Sequence, residues 1–119
     1  MTQVLIVDDD QDLLEMVCLM VQSSNMQPQC IESGAKVFPC LEARNFDLIL
    51  MDIYLGDHDG RHLANQIKND VRYRHIPILL YSAGTISQES IEESLANGFI
   101  KKPFEMPVLI NRLRSMVNA

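Results

Sequence analysis

The periodicities along this chain predict a doubly wound α/β domain in which a five-stranded parallel sheet lies between helices. Apolar β-rich runs recur at nearly even intervals, and helical patterns of three and four residues fill the gaps. The longest runs are apolar without alternation, which means that both faces of those strands are covered, as in a parallel sheet packed between helix layers. The element order reads βαβαβαβαβα.

The first strand is Val4 to Val7, and Leu13, Leu14, Val17, Met20 and Val21 then repeat with helical spacing. A weaker run at Gln29 to Ile31 predicts the second strand, and Gly34 opens the second helical segment. Phe46 to Met51 is the third strand; Gly60 opens a third helix carrying Leu63, Ile67 and Val71. Ile76 to Tyr81 is the fourth strand and Phe99 to Ile100 a short fifth. Pro103 and Pro107 bracket the start of a last helix built on Val108, Leu109, Leu113 and Val117. No linker, repeat or low-complexity stretch interrupts the pattern, so residues 1–119 read as one domain, either standing alone or cut from a longer protein.

Hydrophobic residues at 47% and charged residues at 22% exclude disorder, and no apolar run approaches the ~18 residues of a membrane span. Met1 leads straight into an apolar run without a basic leader, which predicts a cytoplasmic protein. The net charge of -6 argues against a nucleic-acid-binding face and favours a small cation or a basic partner patch. Cys18, Cys30 and Cys40 are odd in number and widely spaced; they read as buried free thiols.

Ligands of open parallel sheets bind at the carboxyl ends of the strands, and here each long strand runs into polar residues. Asp8, Asp9 and Asp10 follow the first, Asp52 the third, Ser82 the fourth, and Lys101 and Lys102 the fifth. Two carboxylates ~4 Å apart repel by ~4 kcal/mol at an effective dielectric near 20, so something positive must join them. An all-oxygen carboxylate cluster suits Mg2+, which is usually held by one or two carboxylates together with a phosphate. A lysine balances remaining charge, and the Ser82 hydroxyl is a donor for an incoming anion. The sum is a phosphoryl-binding site.

At this point the sequence resembles the receiver domain of two-component response regulators, and the match runs in order over essentially the whole chain. Val7-Asp8-Asp9 matches the acidic pair, Asp52 the phospho-acceptor, Asp59-Gly60 the turn that follows it, Ser82-Ala83 the hydroxyl and small residue, Phe99 the switch aromatic, and Lys102-Pro103-Phe104 the lysine motif. The resemblance implies the flavodoxin-like (βα)5 fold with strand order 2-1-3-4-5. It implies that Asp52 attacks a phosphohistidine from a histidine kinase or phosphotransfer protein and becomes an acyl phosphate. Mg2+ (or Mn2+) is then held by Asp9, by Asp8 through water, by Asp52 and by the Tyr54 carbonyl, while Lys102 and Ser82 meet phosphoryl oxygens. Ser82 and Phe99 report the charge to a surface of the fourth helix, fifth strand and last helix, which engages a downstream protein. The expected molecule is a monomer or weak dimer, a signalling switch rather than an enzyme, reset by slow self-hydrolysis, with no direct contact to nucleic acid or membrane.

The chain departs from the family pattern at several places. Gly56 replaces the usual proline after the acceptor, which predicts a flexible loop; Leu95 stands where a small residue is usual, and the segment from Ser82 to Phe99 is about two residues short. A short or irregular fourth helix follows. Asn97-Gly98 replaces acidic residues that one DNA-binding subfamily uses for dimer salt bridges, so that dimer is not expected. Tyr54 and Gly84, each two residues past a site residue, are candidate modulators of hydrolysis.

Plainer readings stand beside these. Asp8 and Asp9 also suit helix capping, a task better given to Asp10 or Asp12. Asp8, Asp10 and Asp12 look like the start of a calcium loop, but Leu13 and Leu19 stand where glycine and glutamate belong. His58 and His62 are spaced as zinc ligands on a helix, yet Asp59-Gly60 between them marks a junction, and both read as solvated. Phe99 is also readable as core, and the methionines as packing. The Lys102-Pro103 bond resembles the family's cis peptide, which costs ~0.5 to 1 kcal/mol at X-Pro; a trans bond at a helix start is the alternative. Lys101 then faces away from Lys102. Two other functions remain open: an unphosphorylated docking module, and a haloacid-dehalogenase-like phosphatase using the spacing Asp8-Asp9-Asp10, against which Asp12, the missing cap segment and Ser82 all count.

Overall fold

The computed structural model describes residues 1–117; Asn118 and Ala119, at the end of the expected domain, lie outside the described residues. The strands are β1 Thr2–Val7, β2 Met26–Ile31, β3 Leu48–Asp52, β4 Ile78–Ser82 and β5 Gly98–Lys101. They pair in parallel in the order β2-β1-β3-β4-β5, as the family resemblance implies. The helices are α1 Gln11–Ser23, α2 Val37–Ala43 after a 3-10 turn at Gly34–Lys36, α3 Gly60–Lys68, α4 Gln88–Ser94 and α5 Met106–Val117.

Strand side chains alternate between two cores, which explains why the central strands are apolar throughout. Leu5, Val7, Ile49, Met51, Ile78 and Leu80 face Val37, Leu41, Leu63, Ile67 and Ile91 of α2, α3 and α4. Val4, Ile6, Leu48, Leu50, Leu79 and Tyr81 face Leu14, Val17, Val21, Leu109, Ile110 and Leu113 of α1 and α5. Register follows from this pairing, with Val4 opposite Leu48, Ile49 opposite Ile78 and Leu79 opposite Gly98. A slip of one residue would turn every side chain to the wrong core.

Polar residues set where the helices begin. Asp10 is the N-cap of α1 and accepts from the Leu13 N–H at 3.2 Å, while Asp12 lies in the first turn. Asp59 caps α3 and Ser87 caps α4. The fourth helix is as short as expected, seven residues ending at Leu95 in the left-handed region with φ 67°. Pro107 sits in the first turn of α5, where its missing N–H costs nothing.

Several expectations need correction. Val71 is off the third helix and exposed, because α3 ends at Lys68 and the chain turns there; Lys68 Nζ ties that turn through the Ile76 carbonyl at 2.7 Å. Val108 faces solvent on α5, where Leu109, Ile110 and Leu113 form the buried stripe. Phe46 and Ile76 are buried but precede their strands. The second strand is longer than the run at Gln29 suggested and includes Pro28, which is tolerated because β2 is at the sheet edge. Cys18 and Cys30 are not free thiols. They are joined as a disulfide with Cα atoms 6.6 Å apart, because α1 returns beside β2 after a tight turn through Asn25 at φ 63°; Cys40 alone is free, and half-buried.

The loop at Gly56 is tied down at one point next to the glycine. Gly56 does take a positive φ of 80°, but the next residue is fastened across to the 3-10 turn. Asp57 accepts from the Ser33 hydroxyl at 2.6 Å and from the N–H groups of Gly34 at 3.1 Å and Ala35 at 3.2 Å. Those donors, Ser33 first, hold its carboxyl well below the usual carboxylate range.

At the start of α3, Gly60 lies directly on the end of β3 and donates its N–H to the Ile53 carbonyl at 2.6 Å. A Cβ at Gly60 would overlap the Asp52 carbonyl oxygen and come within 3.0 Å of the Ile53 Cα, both backbone atoms that cannot rotate away. Gly60→Ala is therefore expected to destabilise the domain by about 2–4 kcal/mol in urea unfolding. A loss below about 0.5 kcal/mol would mean that α3 is not held this tightly against Asp52.

Candidate functional site

Four strands deliver polar residues to one edge of the sheet. Asp8 and Asp9 follow β1, Asp52 and Ser82 are the last residues of β3 and β4, and Lys102 comes just after β5. Each of Asp8, Asp9 and Asp52 offers a carboxylate oxygen, and these atoms lie within 4.8 Å of one another. Asp8 and Asp52 are buried, while Asp9 is exposed. Lys102 Nζ stands 3.1 Å from Asp52 Oδ2 and 3.4 Å from Asp8 Oδ2, so one ammonium serves two carboxylates. The Lys102 backbone is anchored by its N–H, which donates to the Ser82 carbonyl at 2.9 Å, and the Lys102-Pro103 bond is cis. Lys101 is exposed on the opposite side, as strand alternation requires.

Burial is the largest influence on Asp52 and pushes its carboxyl up to about 6. Lys102 pulls in the other direction, and the charge of Asp8 adds to the upward push. The other oxygen, Asp52 Oδ1, accepts from the Tyr54 N–H at 3.3 Å. Asp8 spends both oxygens on protein donors, Oδ1 on the Asp10 N–H at 2.9 Å and Oδ2 on the Tyr81 hydroxyl at 2.5 Å. An Asp8 held in this way is a poor nucleophile, which counts against the dehalogenase-like reading.

The remaining expected residues fall at different distances from this centre. Ser82 is fully buried, and its Oγ accepts from the Gly84 N–H at 3.1 Å, so the hydroxyl belongs to the loop leaving β4. Ala83 and Pro103 line an open apolar groove beside Lys102, together with Leu13, Met16 and Phe104. Phe99 is half-buried, opposite Leu80 in the sheet, and packs into the core under α2, α3 and α4 rather than into the site. Tyr54 is exposed and faces Gly84, where a Cβ would come within 3.4 Å of the Tyr54 ring. His58 and His62 do not form a metal pair. His58 lies against Gly34 with Nδ1 3.2 Å from Asp57 Oδ2, and His62 lines the groove between α3 and α4.

Two residues were missed by sequence reasoning. Tyr81 looked like one more apolar strand residue, although a hydroxyl-bearing side chain in a fully buried strand needs a partner, and that is the usable signal. Arg61 carries no motif at all. It makes a bidentate contact with Asp59, reaches the Ser90 hydroxyl of α4 at 2.9 Å, and lies 5.8 Å from the centre of the Tyr54 ring. It thereby links the loop after Asp52 to the fourth helix.

The donor set fits a small, hard divalent cation. It consists of oxygen only, its charges are closer than an unaided cluster tolerates, and the exposed Asp9 leaves one side open to solvent.

A family model described as the response regulator receiver domain matches residues 4–114. The heme response regulator HssR of Staphylococcus epidermidis is 30% identical over 120 residues, covering 98% of this chain and 52% of the relative. The CAI-1 autoinducer sensor kinase/phosphatase CqsS of Vibrio cholerae is 28% identical, with 97% of this chain and 17% of the relative aligned. The chain thus spans about half the length of the HssR relatives and less of the kinase. Among solved structures, one from Chloroflexus aurantiacus described as a response regulator superimposes with a TM-score of 0.93 at 28% identity, over 99% of this chain and 98% of that one. The chemotaxis response regulator CheY4 of Vibrio cholerae gives 0.88 at 25% identity, over 98% of both chains.

The raised Asp52 makes a prediction about stability. An acid whose pKa rises on folding binds its proton more tightly in the native chain, so stability is greatest at low pH and falls as pH climbs from the ordinary 3.8 through about 6. In the presence of chelator, Asp52→Asn is expected to be more stable than wild type by about 1–2 kcal/mol at pH 7.5, with the advantage vanishing near pH 4. Urea titrations at the two pH values test this; an Asn variant that is the less stable at pH 7.5 would mean that pairing with Lys102 outweighs burial.

Proposed function

Because the chain belongs to the response regulator receiver domain family, we propose that Asp52 is its phospho-acceptor in a two-component phosphorelay. The observation that carries this reading is Lys102 Nζ at 3.1 Å from Asp52 Oδ2 within a cluster of three carboxylates. An unphosphorylated docking module has no use for such a costly arrangement of like charges.

In the proposed reaction an Asp52 oxygen attacks the phosphorus of a phosphohistidine. The new O–P bond forms in line as the P–N bond breaks, and the imidazole leaves with the electron pair. Lys102 is placed to move from the carboxylates to a phosphoryl oxygen, so its charge follows the charge being transferred. Asp9 and Asp52 would hold Mg2+ (or Mn2+) directly, with Asp8 through water and the Tyr54 carbonyl completing the set; when bound, the ion neutralises charge on the phosphoryl oxygens. Ser82 would leave its Gly84 contact to meet another oxygen, and the vacated space would be read by Phe99. Tyr54 and Gly84, in contact over the site, would govern water access.

The output in this reading is the surface of α4, β5 and α5. Arg61 supports the choice, since it connects the loop after the acceptor to Ser90 of α4. Residues 1–119 would act as one receiver unit, alone or within a longer protein. Its partners would be a histidine kinase or phosphotransfer protein and a downstream protein target, in the cytoplasm, with the unit a monomer or weak dimer.

Incubation with a small acyl-phosphate donor and Mg2+ is expected to add the mass of one phosphoryl group to the wild type and nothing to Asp52→Asn. Lys102→Ala is expected to slow the gain about a hundredfold. Intact-protein mass spectrometry checks both, and an Asn variant that gains the same mass would remove Asp52 from the proposal.

A further inference from the structure

Tyr81 is fully buried in the core between the sheet and the α1 and α5 layer, yet it carries a hydroxyl to the edge of the carboxylate cluster. Its ring is locked on two sides. Phe104 packs edge-on with centroids 5.9 Å apart, and Lys102 Nζ lies 4.5 Å from the ring centre. The hydroxyl donates to Asp8 Oδ2 at 2.5 Å, the same oxygen that Lys102 approaches at 3.4 Å. The Asp10 N–H takes Asp8 Oδ1 at 2.9 Å. Asp8, with no exposure to solvent, thus has its charge divided among three protein donors before any cation arrives.

A hydrogen bond to a buried carboxylate lowers the negative potential the carboxylate projects, and the effect is large where water is excluded. We propose that the Tyr81 hydroxyl is a positioning residue that weakens divalent-cation binding at the site, by fixing Asp8 and taking up part of its charge. The proposal rests on reading Asp8, Asp9 and Asp52 as a divalent site, and goes beyond it by assigning control of affinity to a side chain that does not touch the ion. Phenylalanine at this position keeps the ring and its packing and removes only the donor. Asp8 then presents more of its charge to the cluster, and Lys102 has one competitor fewer for Asp8 Oδ2.

The test is calorimetric titration of wild type and Tyr81→Phe with MgCl2 alone, paired with thermal unfolding in chelator and in saturating MgCl2. Tyr81→Phe is expected to bind Mg2+ about three- to tenfold more tightly. It is also expected to melt below wild type in chelator and to converge with it in saturating Mg2+, since a tighter ligand restores more stability. A merely structural tyrosine would lower both melting points equally and leave the affinity alone. Equal or weaker Mg2+ binding by Tyr81→Phe, with wild type binding normally, overturns the role of Tyr81 and leaves the divalent site standing. A wild type that does not bind Mg2+ overturns both. Should Tyr81→Phe fold poorly, Tyr81→Leu, which likewise lacks the donor, is measured in its place, and in either case a double-mutant cycle with Asp8→Asn decides whether the effect runs through Asp8. Tyr81→Phe must shift Mg2+ affinity when Asp8 is present, and by less than about twofold when it is combined with Asp8→Asn.

Discussion

One ammonium shared between two buried carboxylates is what permits the edge of this sheet to exist in its present form. Asp8 and Asp52 are held on adjacent strands with almost no access to water, and ionised carboxylates that close repel strongly at any dielectric a protein provides. Lys102 compensates from the fifth strand, two strands away from Asp52, so the compensation depends on the sheet being assembled in the right order and register. That dependence runs both ways. The aliphatic interdigitation of β1, β3 and β4 is the source of stability against which the cost of the charged edge is set, and it leaves no slack for the edge to relax. The raised pKa of Asp52 shows that the compensation is incomplete. A site of this kind is poised to accept further positive charge.

The strands and the polar residues that end them were legible because they rest on composition and period, which are local. Val4 to Val7, Phe46 to Met51 and Ile76 to Tyr81 read as two-sided strands, and Asp8, Asp52 and Ser82 stand directly at their ends. What escaped was set by non-local geometry. Cys18 and Cys30 meet because a helix and a strand lie side by side after one turn, and no spacing motif encodes that. Val71 and Val108 fit helical periods but fall on the wrong side of a helix end and of a helix stripe, since period alone does not say where a helix stops or which of two adjacent apolar residues is buried. Tyr81 was hidden by its own neighbours, four residues of the same strand that are all aliphatic or small. Its partner is Asp8, far away in sequence, so only the fold reveals why a hydroxyl is there.

The two neighbours of the loop after Asp52 are fastened to it by different means, and the difference bears on where a change at Asp52 would go. Toward the second strand, Asp57 gathers three donors from Ser33, Gly34 and Ala35 on one carboxylate, a compact clamp of charge-assisted bonds. Toward the fourth helix, the links are side-chain bridges: Arg61 to Ser90, and Asn65 Nδ2 to the Glu93 carbonyl at 2.9 Å. Between them lies an open polar groove lined by Asp59, Arg61, His62, Asn65, Ser90 and Glu93. Of the seven residues of α4, only Ile91 and Ser94 are buried, so the helix has a single large apolar anchor. An element with few buried apolar contacts opens at low free-energy cost, and α4 is such an element. A displacement of the loop that reaches Arg61 is therefore passed to a lightly anchored helix on the side of α4. At Gly56 the chain takes a positive φ of 80° that a proline ring forbids, so the turn that brings Asp57 to Ser33 is one that the usual proline could not make.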